Sequence, residues 1–206
     1  MNKSTCRIIA GVVAAWSIQG SAADSSMLTY DDIAIGYFWS KRPIEHVSSL
    51  SGFAVDGSWS PARNWFISLG HEDVRAHTIG LAETVQIHGQ SFVATAGRWF
   101  GLTPHLHVTM DLGVDLESQT LRSGDRHAKQ SALAGDAVST LRWSPRDRIE
   151  LSASLQRLQS FGSSEDSRWV YIAGAALKLT GGLDIGGQVS REDAANSYIV
   201  ALRYRF

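Results

Sequence analysis

The sequence predicts an all-β fold: a closed antiparallel up-and-down barrel of about ten strands that crosses a membrane. Three observations predict it. Apolar and polar residues alternate with a period of two along most of the chain, the alternating runs are long, and tight turns alternate with longer polar connections. A helix would bring apolar residues round every third or fourth position, so strict alternation marks a strand with one apolar and one polar face.

The clearest element is 105–117. Leu106, Val108, Met110, Leu112, Val114 and Leu116 form one set, and His105, His107, Thr109, Asp111, Gly113, Asp115 and Glu117 the other. Strands of soluble proteins run about five or six residues, whereas a strand tilted across a bilayer needs roughly nine to eleven. The other elements follow in order. Segment 33–39 puts Ile33, Ile35, Tyr37 and Trp39 on one face, 52–59 does so with Phe53, Val55 and Trp59, and 64–70 with Trp65, Ile67 and Leu69. Segment 90–100 is irregular, with Val93, Thr95 and Trp99 assigned outward. Segments 131–143, 148–156, 169–179, 183–190 and 198–206 complete the set. An eight-stranded barrel is the alternative, because 71–92 reads either as an extended hairpin or as a loop.

Connections at 60–64, 102–105, 144–147 and 180–182 are rich in Pro, Gly, Asp and Asn and read as tight turns. Those at 40–51, 71–83, 118–130, 160–168 and 191–197 are longer or more polar. Short turns on one side and long loops on the other are the pattern of an outer-membrane barrel, with the turns in the periplasm. Trp39, Trp59, Trp65, Trp99, Trp143 and Trp169 fall near strand ends, where an aromatic girdle at the membrane interfaces would sit.

The remaining composition narrows the function classes. The 206-residue chain carries a formal charge of −1, which gives no basic field for nucleic acid. Its one cysteine, Cys6, lies in the leader, so the rest of the chain has no disulfide, thiolate zinc site or cysteine nucleophile. Lys3 and Arg7, the uncharged run 8–18 and the small residues before Asp24 have the order of a secretory signal peptide. The expected division is a removable 1–23 and a single barrel domain over 24–206.

The last strand resembles the terminal strand of Gram-negative outer-membrane β-barrel proteins, on the residues Tyr198, Val200, Leu202, Tyr204 and Phe206. Size and hairpin plan are similar to the small barrels of the opacity and porin-like families. The resemblance implies that this strand closes the barrel against the first one and is read by the barrel-assembly machinery. It also implies outer-membrane lipid and lipopolysaccharide as surroundings, an unknown extracellular ligand at most, and no cofactor. Two roles follow from it: a structural or surface-interaction protein with a largely plugged lumen, or a narrow porin-like channel.

If the apolar set faces lipid, the other set lines the lumen. Inward positions are then Asp32, Asp56, Glu72, His88, Gln90, Arg98, His105, His107, Asp111, Asp115, Asp136, Arg142, Glu150, Lys178, Asp184, Gln188, Arg203 and Arg205. A barrel this narrow is nearly filled by its own side chains, and charges inside it must be paired or hydrated. The expectation is a cross-lumen ion network, with Arg203 and Arg205 facing acids such as Asp32. His105, His107 and Asp111 share a face but indicate no third metal ligand and read as interior polar residues.

Some barrels of similar size act on lipid A through a Ser, a His and an acid. Here the nearest grouping is Glu45, His46 and Ser48 or Ser49, without the surrounding motif of those enzymes. The ten-stranded surface proteases use acid and His–Asp pairs on the outer rim. His71, Glu72 and Asp73 lie near that rim, but Asp31 and Asp32 fall at the other end of the barrel. Neither grouping predicts catalysis. The cluster Arg122, Asp125, Arg126 and His127 reads as charged loop surface that could bind lipopolysaccharide phosphates or divalent ions.

Overall fold

A computed structural model describes residues 28, 30–41, 49–78, 85–161, 167–192 and 195–206. The leader 1–23 and the Glu45, His46 and Ser48 grouping lie outside them. Ten strands form one closed antiparallel sheet: β1 Asp32–Lys41, β2 Leu50–Ala62, β3 Trp65–His77, β4 Gln86–Thr103, β5 Leu106–Ser123, β6 Arg126–Arg146, β7 Ile149–Ser160, β8 Ser167–Lys178, β9 Leu183–Glu192 and β10 Ala195–Arg205. Each strand pairs with its sequence neighbours, and β1 with β10 closes the ring, Asp32 opposite Arg205 and Trp39 opposite Tyr198. Within 71–92, β3 continues to His77 and β4 begins at Gln86, the two paired throughout, which gives ten strands and not eight. Closure leaves no open edge between the first and last strands, so the ladder is paired on both sides of each strand across the apolar band.

The strands run further outward than the polar composition of their ends suggests. Within 118–130, β5 continues to Ser123 and β6 begins at Arg126, joined by a two-residue turn in which Gly124 has φ 55°. A side chain is disfavoured in that left-handed conformation, and glycine is not. The β5–β6 hairpin therefore stands tall beside the shorter β9 and β10.

Alternation places the apolar set outside. Leu112, Leu69, Phe53 and Tyr171 are each more than 60% exposed, a surface no water-soluble fold would present so continuously. On β5 the outward apolar residues extend from Leu106 to Leu116, and on β6 from Leu133 to Trp143. At about 3.3 Å per residue and a tilt near 40°, each run spans about 25 Å, the height of an outer-membrane apolar band. Trp59, Trp65 and Trp143 mark its periplasmic edge, and Trp39 and Trp169 its outer edge.

Strand β4 corrects the expected phase. Register pairs Trp65 with Arg98 and His71 with Phe92, so Arg98, His88, Gln90 and Phe92 point outward, while Thr95 and Trp99 point inward. Trp99 is thus a lumen residue and not part of the girdle, and Arg98 is not part of the lumen network. Hydrophobicity could not fix the phase, because small residues occupy both faces of β4 and Trp99 is followed directly by Phe100. Packing fixes it: the inward ring of Phe66 lies where a Cβ on Gly97 would be, so only glycine fits there. The outward Arg98 is accommodated by its guanidinium lying 5.9 Å from the Trp65 ring and 5.4 Å from that of Phe100.

Candidate functional site: the filled lumen

The periplasmic mouth is closed by residues from both halves of the chain. Tyr30, just ahead of β1, turns inward and is fully buried. Its ring stacks at 5.8 Å from Phe66, 5.6 Å from Trp99 and 6.0 Å from His107, with the Arg142 guanidinium 4.7 Å from its centroid. Its hydroxyl lies 3.3 Å from His107 Nδ1. Stacked and cation–π contacts of this kind add specific attraction to the area buried.

An ion network lies against this stack. Arg142 Nη2 and Nε donate to Glu150 Oε1 at 2.6 and 3.2 Å. Arg203 Nη2 donates to Glu150 Oε2 at 3.2 Å and to Asp184 Oδ2 at 2.7 Å, and its Nη1 is 4.0 Å from Asp32 Oδ2. Arg205 Nη2 donates to the other Asp184 oxygen at 2.6 Å. Ser58 Oγ donates to Asp32 at 3.2 Å. Lys178 is buried on β8 directly opposite Asp184 in the register. The guanidiniums suit this role, since each offers several donors in a fixed plane and can bridge acids from different strands.

Above the network the β2–β5 wall carries Asp56, Glu72, Asp111, Asp115 and Glu117, all buried. Ser91 Oγ donates to Asp115 at 3.3 Å, and Arg168 from β8 reaches Glu117 at 3.8 Å and Glu192 at 3.0 Å. Asp56 Oδ1 and Glu72 Oε2 accept no hydrogen bond among the described residues. Asp136 is held from β7 by Gln156 at 2.8 Å. Gln188 faces the lumen from β9, between Gly174 and Ile199 in the register.

Towards the outer mouth the lumen also holds an apolar cluster, beside the Arg168–Glu192 pair. Phe38, Leu50, Val74, Ile87, Leu158, Val170, Ile172 and Ile199 form one buried cluster that meets across the barrel axis. The polar composition of the inward set hid this plug, although Tyr37 beside Phe38 and Tyr198 beside Ile199 put apolar groups on both faces of a strand, which is its sequence signal. Tyr30 was missed for another reason: it precedes the alternating run and has no strand phase to read.

Of the inward assignments, Asp32, Asp56, Glu72, His107, Asp111, Asp115, Asp136, Arg142, Glu150, Lys178, Asp184, Gln188, Arg203 and Arg205 lie in the lumen. His105 is exposed in the periplasmic turn, apart from the buried His107. On the outer face, His88 Nε2 meets Asp73 at 2.8 Å. Among the described residues, no three His, Cys, Asp or Glu side chains are arranged to hold a metal ion.

No protein-family model matches this chain, and no curated protein sequence matches it. Solved structures do. The β-domain of the Bordetella autotransporter BrkA is 15% identical, with a TM-score of 0.55 over 85% of this chain and 99% of that one. Ail, the attachment invasion locus protein of Yersinia pestis, is 14% identical, with a TM-score of 0.45 over 85% and 97%. The N-terminal barrel of Pseudomonas aeruginosa OprF is 14% identical, with a TM-score of 0.44 over 84% and 98%. Identities this low speak to fold alone. A closed ten-stranded sheet, apolar outside and ionic within, bounded by aromatic residues and ended by Tyr204 and Phe206 on its outer face, is the fold of a small Gram-negative outer-membrane β-barrel.

Proposed function

We propose that the protein is a sealed outer-membrane barrel that acts through its outer and extracellular surfaces, as a structural or surface-interaction protein, and does not conduct. The observation that carries this reading is the double closure of the lumen. An aromatic and ionic stopper around Tyr30 and Arg203 fills the periplasmic end, and the cluster around Phe38 and Ile199 fills the outer end. Either would stop a hydrated ion, because a path through the first must break charge-assisted bonds and a path through the second must displace closely packed apolar side chains. The tall β5–β6 hairpin and the connections between strands are the surface left for lipopolysaccharide or an extracellular ligand to meet. The terminal strand is assigned the role of assembly signal.

The test is single-channel recording of the purified, folded protein in a planar bilayer. No discrete steps are expected from the wild type, and the double variant Tyr30→Ala/Phe38→Ala should introduce them. Steps in the wild type whose size changes in Asp111→Asn or Arg203→Gln would overturn the sealed reading and establish the narrow channel.

A further inference from the structure

On the outer face, one quarter of the barrel changes character abruptly above the apolar band. The row His71, Phe92, Leu116 and Leu133 runs across β3, β4, β5 and β6 in strict register and forms the upper edge of that band. Two residues further out lies an uncharged or acidic row, Asp73, Gln90, Ser118 and Ser131. The next row is Arg75, His88, Thr120 and Lys129, with Ser51 of β2 opposite Arg75, and beyond it come His77, Gln86, Arg122 and His127. All project on the side that faces lipid lower down, since alternation keeps residues two apart on one face.

This ledge is concave. Arg75, His77, His88, Thr120 and Arg122 line a groove of about 800 Å³ together with Ser51 of β2 and Ser49 just before it. Asp73, in the row below, accepts from His88 Nε2 at 2.8 Å and from Arg75 Nε at 3.4 Å, which holds the imidazole and guanidinium side by side. The Arg75 side chain is 79% exposed, so its remaining donors point into the groove and its surroundings. Four residues separate the Phe92 row from the Arg75 row, about 10 Å of height at a tilt near 40°. Long cationic side chains lean over such a distance towards the interface.

We propose that this ledge is a binding site for the phosphorylated headgroup of an outer-leaflet glycolipid. The inference rests on the reading of the chain as an outer-membrane barrel. Its position selects the occupant: a cationic groove about 10 Å above the lipid-contacting face, on the same side of the wall, lies at the height of whatever polar group caps the acyl chains against Phe92 and Leu116. Arginines supply paired donors for phosphate oxygens, and the Ser51 and Thr120 hydroxyls and the imidazoles add further donors for sugar and phosphate. A soluble polyanion would not need the groove to adjoin the apolar band.

The test uses the full-length folded barrel in nanodiscs of phosphatidylcholine doped with either diphosphorylated lipid A or its dephosphorylated form. Lipid retained after transfer to detergent is counted by native mass spectrometry. The wild type should retain diphosphorylated lipid A in preference to the dephosphorylated form. The triple variant Arg75→Gln/Arg122→Gln/Lys129→Gln should lose that preference by about a hundredfold, a factor of about five for each cation near an anionic surface. Arg157→Gln, an outward cation over Trp169 on β7, serves as the control and should change nothing. Boiled and unboiled gel mobility shows that each variant is folded, and failure of that shift in the wild type would count against the barrel reading itself. Equal retention of the two lipids by the wild type, or a triple variant within about twofold of it, would overturn the proposal. So would binding of inorganic phosphate or a sulfated oligosaccharide as tight as that of the lipid.

Discussion

Glu150 is the most exacting test of the ion network. It lies 3% exposed at the base of β7 and accepts from two guanidiniums, Arg142 at 2.6 and 3.2 Å and Arg203 at 3.2 Å. Glu150→Gln keeps the volume and removes the charge. Arg203 would retain Asp184, but Arg142, itself 1% exposed, would lose its charge-assisted hydrogen bonds to Glu150 while its guanidinium stays buried against the face of Tyr30. Breaking a buried pair by removing one partner costs about 3–5 kcal/mol, whereas replacing both partners is often close to neutral. Glu150→Gln should therefore lower the urea midpoint of the folded barrel in lipid vesicles by roughly 2 M, taking a slope of about 2 kcal/mol per M. The pair variant Glu150→Met/Arg142→Met should recover at least half of that loss. A cost for Glu150→Gln below about 1 kcal/mol, or a double variant less stable than the single, would show that the network is not electrostatically buried and refute the reasoning.

Two further expectations follow from the packing. Glu72→Gln removes one charge from the acid-rich β2–β5 wall, where Glu72 shares a cross-strand row with Glu117 through Ser91, and should raise stability at pH 8 by about 1 kcal/mol in urea titration; a loss would mean that Glu72 is paired. Gly97→Val places its side chain against the Phe66 ring and Asp111 and should cost about 1–3 kcal/mol, with part of the loss recovered by Phe66→Leu in the same chain, as read by the same titration.

The wall of the barrel was readable because lipid outside and ions inside impose the strictest alternation a strand can carry, as Leu106 to Glu117 show. Where both faces need similar residues the rule loses its grip. On β4, Ala94 and Ala96 face outward while Thr95 and Gly97 face inward, and only the shape of Phe66 on the next strand decides between the two phases. The network members were legible singly as inward charges, but their partners were not. Arg203 meets Asp184 because the two stand opposite each other on β10 and β9, and it meets Glu150 because barrel curvature, which no local pattern encodes, brings β7 within reach of β10. The apolar cluster is not legible because an inward apolar side chain carries no mark of its own that separates it from a lipid-facing one.

Tyr30 also bears on the order in which the molecule can be completed. Its ring belongs to the segment that enters β1, yet its neighbours come from β3, β4, β5 and β6, and Arg203 of β10 reaches towards Asp32 of β1. The Arg203 contact cannot form while the first and last strands are apart, and the Tyr30 contacts need the sheet curled far enough for the start of β1 to face β6. A sheet still open at that seam exposes unpaired backbone and also leaves Arg142 without its aromatic cover. The final pairing event thus brings together hydrogen bonding, charge neutralisation and sealing, so a leaky, nearly finished cylinder has little stability of its own to persist on.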